Sequence, residues 1–468
     1  MKILFATAEA APYYRTGGLG DVARALPDRL VAAGHDVRII TPSYGPLDEV
    51  PTDALPAEEM LVPWPARSVR VRFLHHENPD GAHAVLVHQP AFFTRGSPYT
   101  ASFTDPIATG VRFALFCRAI VAYARSWRAD IVHTNDWPTG LVPVYGLLDG
   151  LDAPTVFTIH NLAYQGSFPP ALLYRCGIPR NLMRTENGIE FFGSASFMKA
   201  ALALSDRLVT VSPTYAAEIR TLEYGAGFDG LLRFRRRVLH GILNGIDTSV
   251  WQPATDRAIA ATYSVVNVEP RQQNRAALLE ETGLEDGGPI FGMVSRLAHQ
   301  KGIDLLIDAL PRLVDAGARV AVIGSGDPAS EQALLRASSG WPGRVSVFIG
   351  FDDARARRLY AGADFFLMPS RYEPCGLGQM IAQRYGTPPV VRATGGLVDT
   401  VEDGKTGFTF ADATPEALAD AVERAMRSWQ ARGWVTLQRR CMRLDWSWAR
   451  SAERYEQVYR LAIGALPG

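Results

Sequence analysis

Short apolar runs alternate with helix-like segments along both halves of the chain, and this alternation restricts the possible folds more than any other feature. Residues 2–8 form an apolar run too short for a helix, and residues 21–33 follow with apolar positions at helical spacing. The alternation starts again at residues 289–295. Such a pattern predicts parallel sheets of the doubly wound α/β type. Since 468 residues are too many for one ordinary core, two or three domains are expected, and the two alternating halves favour two.

The turn Asn244-Gly245-Ile246-Asp247 is well suited to a hinge and marks the expected domain boundary. We expect residues 1–243 to form the first domain and residues 244–449 the second. The helical segment at the end of the chain, residues 450–468, is expected to pack back on the first domain. Short alternating strands within residues 61–93 predict an antiparallel insertion in the first domain.

The composition argues against several classes of partner. Lys and Arg together number 48, as do Asp and Glu, so the chain is formally neutral and nothing favours nucleic acid or an anionic membrane. No apolar stretch reaches about 18 residues, so no membrane span is expected. The basic run at residues 233–237 is interpreted as a solvated helix end. The cysteines are scattered, which argues against disulfides or a zinc site and favours a reducing cytoplasm; they are Cys117, Cys176, Cys375 and Cys441.

Residues 363–397 have the order strand, polar loop, helix, strand and glycine turn. Residues 365–368 form the buried strand, and residues 370–376 then bring a hydroxyl, a cation, a carboxylate and a thiol to its carboxyl end. Ligands of open α/β sheets bind at this edge. The segment is therefore a candidate ligand site.

Two residues of this loop indicate the kind of ligand. Glu373 can accept hydrogen bonds from sugar hydroxyls, and Gly376 is expected to open a helix whose amino end attracts anions. Thr394-Gly395-Gly396 repeats the arrangement one strand later. The alternative is a Pro/Gly turn with a solvated Glu373.

A second glycine-rich turn, Arg15-Thr16-Gly17-Gly18-Leu19-Gly20-Asp21, joins the first strand to the first helix. Adjacent glycines let backbone N–H groups approach a phosphate, and Arg15 adds a fork of donors. The spacing matches neither the dinucleotide-binding motif nor the P-loop. By itself the segment could be only a turn.

Two further strand ends of the first half carry polar side chains, Asp136 after one strand and His160 with Asn161 after another. Either could be a residue that caps its loop. Because they share the predicted sheet edge with the Gly17-Gly18 turn, a ligand site is favoured.

In the second half, Arg296 and Lys301 lie on one strand-to-helix turn, where both could reach an anion. A cation is unfavourable at a helix amino end, so Lys301 calls for a compensating anion, although Arg296 could simply pair with a carboxylate. Phe351 follows another strand and could face a nucleobase, with a core position as the alternative. Together with Glu373, these residues suggest a nucleotide sugar held between two lobes, with no metal implied.

Six motifs, in this order along nearly the whole chain, resemble those of bacterial glycogen synthases and plant starch synthases. They are Arg15-Thr-Gly-Gly-Leu, Thr158-Ile-His-Asn-Leu-Ala-Tyr-Gln-Gly, Leu243-Asn-Gly-Ile-Asp, Val294-Ser-Arg-Leu with Lys301-Gly, Pro369-Ser-Arg-Tyr-Glu-Pro-Cys-Gly-Leu and Thr394-Gly-Gly-Leu.

The resemblance implies a GT-B fold, in which two Rossmann-like domains face an interdomain cleft. It also implies transfer of glucose from ADP-glucose, with retention of configuration, to the non-reducing 4-OH of an α-1,4-glucan, without a cofactor. The route implied for such enzymes is departure and attack on the same face of the sugar, with the leaving phosphate helping to deprotonate the acceptor.

Carried over motif by motif, the resemblance assigns Arg296 and Lys301 to the leaving diphosphate and Glu373 to the donor glucose. His160 would lie over the sugar, while Asp136 and Tyr99 would shape the site and the acceptor side. The remaining donor-binding residues that it implies are Arg15, Gly18, Asp21, Asn161, Asn244, Phe351, Cys375, Gly376, Leu377, Thr394, Gly395 and Gly396.

Three positions depart from the family pattern and bear on donor choice and rate. The family usually has Lys at Arg15 and His at Asn135, and often Thr at Gly378. The alternatives are therefore a related GT-B transferase that uses UDP-glucose, another donor or another acceptor, and a weakly active homologue that binds glucan. A glucan phosphorylase is disfavoured because no pyridoxal-lysine context is found.

Overall fold

The computed structural model describes residues 1–44, 55–79, 81–93, 99, 105 and 107–464. The chain divides into two compact units. Unit 1 comprises Met1–Asn244 and Trp448–Gly468, and unit 2 comprises Gly245–Ser447.

The strands are β1 (Lys2–Ala6), β2 (Asp36–Pro42), β3 (Ala57–Val62), β4 (Val69–His76), β5 (His83–His88), β6 (Ile131–Asn135), β7 (Thr155–Ile159), β8 (Ser167–Phe168), β9 (Glu190–Phe191), β10 (Ser194–Ser196), β11 (Arg207–Thr210), β12 (Leu239–Gly241), β13 (Ile290–Val294), β14 (Arg319–Gly324), β15 (Val345–Ile349), β16 (Phe365–Met368), β17 (Pro389–Arg392) and β18 (Phe408–Phe410). The α-helices are α1 (Gly18–Ala32), α2 (Ala108–Trp127), α3 (Val142–Asp149), α4 (Ala171–Cys176), α5 (Phe197–Leu204), α6 (Pro213–Glu218), α7 (Asp229–Phe234), α8 (Arg271–Thr282), α9 (Ile303–Asp315), α10 (Pro328–Gly340), α11 (Asp353–Gly362), α12 (Gly378–Arg384), α13 (Gly396–Thr400), α14 (Pro415–Trp429), α15 (Trp434–Met442) and α16 (Ala449–Ile463).

Unit 1 is built on a sheet in the order β12-β11-β7-β6-β1-β2-β5-β4-β3. The strands from β12 to β5 in this order run parallel to one another. Strand β4 pairs antiparallel with both β5 and β3, which confirms the predicted antiparallel insertion. Ile3, Leu4 and Phe5 of β1 are fully buried because helices cover both faces of the sheet. One face packs against α2 and α3, and the other against α1 and α16.

Helix α16 contributes several buried residues to the hydrophobic core on the α1 side of the unit 1 sheet. Tyr455 and Tyr459 are fully buried among residues of β1, β6 and α1. The hydroxyl of Tyr459 lies 2.7 Å from Nδ1 of His133 in β6. The C-terminal helix is thus part of the first unit rather than an appendage of the second.

Unit 2 contains a parallel sheet in the order β15-β14-β13-β16-β17-β18. Numbered within this unit, the order is 3-2-1-4-5-6, which is that of a Rossmann domain. The order reverses between β13 and β16. In unit 1 the corresponding reversal lies between β1 and β6, so both units have a topological switch point where a crevice forms at the carboxyl ends of the strands.

Two local predictions are corrected by the structure. The basic run is not simply a solvated helix end, because Arg235 donates to the carbonyls of Ala203, at 2.5 Å, and Ser205. Gly376 does not open a helix; it has a φ of 76° in the loop, and α12 begins two residues later at Gly378. Among the residues that the structure describes, none of the helices is long and apolar enough to cross a membrane.

Candidate active site

The switch point of unit 2 brings together two of the predicted site loops. Arg296 and Lys301 follow β13, and Glu373 follows the neighbouring β16, which pairs with β13 in parallel. Helices leave the two strands in opposite directions at a switch point, so the loops diverge and leave a crevice. The predicted ionic residues therefore lie where an α/β sheet binds its ligand.

Lys301 and Glu373 form an ion pair, with Nζ donating to Oε2 over 2.6 Å. Ser370 Oγ donates to the same oxygen over 3.0 Å. The Glu373 side chain is only 7% exposed, so the alternative of a solvated Glu373 is wrong. The sequence predicted that Lys301 needs a nearby anion. In this structure that anion is the carboxylate of Glu373, which we also expected to accept hydrogen bonds from sugar hydroxyls. Among the described residues, no hydrogen bond reaches the second oxygen, Oε1, which leaves it for a ligand.

Backbone hydrogen bonds fix the two loops against each other. Gln300 accepts from the backbone N–H of Arg371 over 2.8 Å, and its side-chain amide donates to the Tyr372 carbonyl over 3.2 Å. Arg371 also forms an ion pair with Asp304 in α9. Because Gln300 and Arg371 adjoin the ion pair, its geometry is set before any ligand binds. The sequence analysis missed Gln300, which lies beside Lys301, and it noted the hydroxyl of Ser370 without identifying Glu373 as its partner.

The glycines of these loops are required by close approach of backbone. At Gly302, which has a φ of 66°, an added Cβ would lie 2.1 Å from the Pro369 carbonyl oxygen. At Gly396 it would lie 2.2 Å from the Cys375 carbonyl oxygen. The Gly396 N–H donates to the Glu373 carbonyl over 3.0 Å. The Thr394-Gly395-Gly396 turn is therefore packed directly on the Glu373 loop, as a shared site requires.

Gly396→Ala is expected to lower the free energy of unfolding by about 1–3 kcal/mol, because backbone rather than a mobile side chain must move. The urea midpoint measures this. Gly340→Ala, at the end of α10 where nothing lies within 4 Å of an added Cβ, is the matched control and should change stability by less than about 0.5 kcal/mol. Equal midpoints for the two variants would contradict the close approach.

The other residues of unit 2 that we predicted to bind the donor differ in how far they are exposed. Cys375 is buried, and Leu377 is the residue before α12. At Gly378, an added Cβ would lie 3.0 Å from the ring of Phe366, so a larger residue there requires a small shift of that ring. Phe351 follows β15 at the sheet edge and is 66% exposed, so the alternative of a core position is wrong.

Arg296 remains available for an anion. Its side chain is exposed, and the part of the chain that the structure describes contains no carboxylate that pairs with it. The alternative in which it neutralises a local carboxylate is thus wrong for the described residues. Together with Lys301 it provides two cations at one switch point.

The switch point of unit 1 carries the first glycine turn. Gly17 caps α1, which begins at Gly18. Arg15 donates to Asp21 over 3.0 Å, and both side chains are about half exposed, at 47% and 51%. The predicted phosphate-binding Arg15 is therefore paired on the surface, in an ion pair weak enough for an anionic ligand to compete with it.

Asp136 lies at the end of β6 with a φ of 54°, which is unusual for a residue other than glycine. Its Oδ1 accepts from the backbone N–H groups of His160, over 2.8 Å, and Asn161, over 3.4 Å. Burial, with a smaller contribution from the nearby Glu9, raises the pKa of Asp136 to about 7 against the effect of these two hydrogen bonds. Asp136 thus caps the His160 loop and joins the two strand ends.

His160 is held in one tautomer by Asn135. The Asn135 amide nitrogen donates to the Ala6 carbonyl over 3.0 Å, so its oxygen faces Nε2 of His160, 2.9 Å away. Only a protonated Nε2 can donate there, which leaves the Nδ1 lone pair as an acceptor. Burial lowers the pKa of His160 to about 3, so the ring is neutral near pH 7. The sequence showed Asn135 only as a departure from a motif, whereas the structure makes it a partner of His160.

Tyr99 and Asn244 are the remaining predicted site residues of unit 1, and each has a different environment. The Tyr99 ring packs against Phe113 and Trp137, although the motif residues 96–98 lie outside the described residues. Asn244, the last residue of the first segment of unit 1, is 7% exposed, and its Oδ1 is buried with no partner in the described structure. An unpartnered buried acceptor is costly unless a ligand satisfies it.

Comparisons with known proteins agree with this architecture. The family model of the starch synthase catalytic domain matches residues 2–234, and that of glycosyl transferases group 1 matches residues 274–437. The catalytic domain of starch synthase IV from Arabidopsis thaliana, bound to ADP and acarbose, matches with a TM-score of 0.89 and 32% identity over 99% of both chains. Sucrose-phosphate synthase from Thermosynechococcus elongatus shares the fold, with a TM-score of 0.65 and 21% identity over 99% of this chain and 100% of its own. The protein is a glycosyltransferase with the GT-B fold.

Two curated relatives narrow this class. A glycogen synthase of Aromatoleum aromaticum is 44% identical over 98% of this chain and 96% of its own, and one of Halorhodospira halophila is 45% identical over 99% and 100%. The chain belongs to the family of bacterial glycogen synthases and plant starch synthases.

Proposed function

We propose that the protein is a retaining glucosyltransferase that moves glucose from ADP-glucose to the non-reducing end of an α-1,4-glucan. The observation that carries the proposal is the Lys301–Glu373 ion pair at the switch point of unit 2, with the exposed Arg296 on the same turn, which pairs with no carboxylate of the described residues. Cations suit a diphosphate and a fixed carboxylate suits sugar hydroxyls. The ADP carried by the Arabidopsis relative supports an adenosine diphosphate leaving group.

In this proposal unit 2 supplies most of the residues that bind the donor. Arg296 and Lys301 neutralise the diphosphate as it leaves, and Oε1 of Glu373 accepts from the glucose hydroxyls. Phe351, 66% exposed, flanks the base. The Thr394-Gly395-Gly396 turn adds backbone N–H groups, and the other donor residues of unit 2 are Cys375, Gly376 and Leu377. Further residues assigned to the donor belong to unit 1; they are Arg15, Gly18, Asp21, Asn161 and Asn244.

Unit 1 supplies the acceptor side, with Tyr99 and Asp136 shaping it and the neutral His160 over the sugar. The bond between the anomeric carbon and the phosphate oxygen breaks, and its electron pair leaves with the ADP. The acceptor 4-OH forms the new bond on the same face, and its proton passes to the leaving phosphate. Neither a protein nucleophile nor a metal is required. Among the described residues, no group of three His, Cys, Asp or Glu side chains could hold a metal ion.

The test is incubation of the purified protein with glycogen and radiolabelled ADP-glucose or UDP-glucose. We expect label in glycogen from ADP-glucose. Preference for UDP-glucose would overturn the donor assignment alone, and transfer from neither would overturn the synthase and leave a glucan-binding homologue. A cytoplasmic location stays a prediction.

Asn135→Ala is expected to lower kcat roughly tenfold, because His160 loses the acceptor that fixes its tautomer and misplacement of a positioning group costs up to about a hundredfold in rate. Asn135→His, the residue that related synthases usually have, should retain more activity because a ring nitrogen can accept from Nε2. Asn181→Ala, an exposed asparagine of unit 1, is the control. If Asn135→Ala and Asn181→Ala had the same kcat, Asn135 would have no such role.

A further inference from the structure

Glu9 is a buried carboxylate just after β1, at the switch point of unit 1, and it is only 3% exposed. Its Oε2 accepts from the Thr16 backbone N–H over 2.5 Å, and its Oε1 accepts from the Thr16 hydroxyl over 2.7 Å. Oε1 also accepts from the hydroxyl of Tyr99. One side chain therefore holds two segments that lie far apart in the sequence.

Among the residues that the structure describes, this carboxylate has no cation to balance it. Within the described residues, no Lys, Arg or His forms an ion pair with Glu9, so its charge is stabilised only by the three donors. Removing an unpaired carboxylate from water is costly unless its hydrogen bonds are satisfied. Hydrogen bonds to a carboxylate are stronger than those between neutral groups, so these three bonds hold the two segments together.

The two segments are those that the proposed function assigns to different substrates. Thr16 begins the glycine turn on the donor side, where Gly17 precedes α1. Tyr99 is on the acceptor side, and its ring packs on Trp137, which follows Asp136. Glu9 thus lies between the donor loop and the acceptor aromatic group.

We propose that Glu9 is a positioning residue that fixes the glycine turn and Tyr99 relative to each other, so that donor and acceptor use depend on one buried carboxylate. The inference rests on the proposed function for its kinetic consequence, but not for the mechanical link itself. In this role Glu9 acts through its hydrogen bonds with Thr16 and Tyr99.

The mechanical link is tested by amide hydrogen exchange of residues 15–20 in the full-length protein. Glu9→Gln should speed exchange of the Thr16 amide roughly tenfold or more, because an amide cannot accept from all three donors. Tyr99→Phe, which keeps the ring and removes the hydroxyl, should also speed exchange there although Tyr99 does not touch Thr16. Glu223→Gln, an exposed carboxylate of unit 1, is the control and should leave exchange unchanged.

Exchange at the wild-type rate in Tyr99→Phe, with Glu9→Gln folded, would overturn the link. If Glu9→Gln failed to fold, the Tyr99→Phe result alone would decide, since that variant keeps the carboxylate. This readout needs no turnover, so an inactive wild-type enzyme would overturn the proposed function and leave the link standing.

The kinetic consequence is measured by the KM values of Glu9→Gln. We expect KM for both ADP-glucose and maltooligosaccharide to rise about tenfold, since small misplacement of positioning groups costs up to about a hundredfold in rate. Thr16→Val should raise the donor KM, and Tyr99→Phe the acceptor KM. When Thr16→Val or Tyr99→Phe is combined with Glu9→Gln, the KM values should rise little beyond those of Glu9→Gln alone. Full additivity would show that Glu9 does not couple the two sides.

Discussion

Glu373→Gln is expected to lose about a hundredfold or more in kcat while the protein stays folded, because loss of one fixed group that stabilises a reacting centre costs about 10²–10³-fold. In the wild-type structure Oε2 is occupied by Lys301 and Ser370, which leaves Oε1 for the donor sugar. If the amide oxygen of the variant faces Lys301, its NH₂ group replaces Oε1 and cannot accept from a hydroxyl. If it turns the other way, the NH₂ group faces the ammonium of Lys301. Either orientation removes one of the two functions.

The control is Glu402→Gln, because Glu402 also pairs with a lysine, Lys405, but on the surface, where both side chains are 61% exposed. That pair should contribute little. Turnover is measured with radiolabelled ADP-glucose, and folding by circular dichroism. Turnover of Glu373→Gln equal to that of Glu402→Gln would mean that the donor site is elsewhere.

Lys301→Met is expected to raise KM for ADP-glucose roughly ten- to a hundredfold and KM for glucan much less, since a hydrogen bond to a charged group is worth about 1.5–3 kcal/mol. The variant loses a cation that would meet the diphosphate, and it also leaves the carboxylate of Glu373, 7% exposed, without its ionic partner. The second effect destabilises unit 2, so KM and stability must be measured together.

The double variant Lys301→Met/Glu373→Gln separates the two effects. Removing the unpaired charge should return part of the lost stability, whereas donor affinity should remain low. Lys405→Met, the exposed lysine of the surface pair, is the control for both measurements. A larger rise in KM for glucan than for ADP-glucose would contradict the phosphate role of Lys301.

Periodicity alone was sufficient for the class of fold. Strand and helix patterns depend on local spacing of apolar residues, so the parallel sheets of both halves and the antiparallel insertion at β3 to β5 could be predicted before any contact was known. Strand order is a different matter. The switch points at β13/β16 and β1/β6 follow from pairing between distant segments, which a local pattern does not encode.

For the candidate site, the sequence identified the loops but not the partners of their side chains. The motifs placed Glu373 and Lys301 separately, whereas their ion pair depends on two neighbouring strands ending at the same edge. Arg235 was misjudged for the same reason, because the carbonyls that it reaches lie about thirty residues earlier in the chain.

What the sequence determined by itself, then, is the alternation of elements, the ends of the strands and the residue types that stand there. Only the tertiary structure decided that Asn135 fixes the tautomer of His160 and that Glu9 joins Thr16 to Tyr99. The contacts of Asn135 with His160 and of Glu9 with Tyr99 join residues far apart in the chain, and the strength of each contact depends on burial. Burial and long-range distance are set by packing, so no local pattern of residues specifies them.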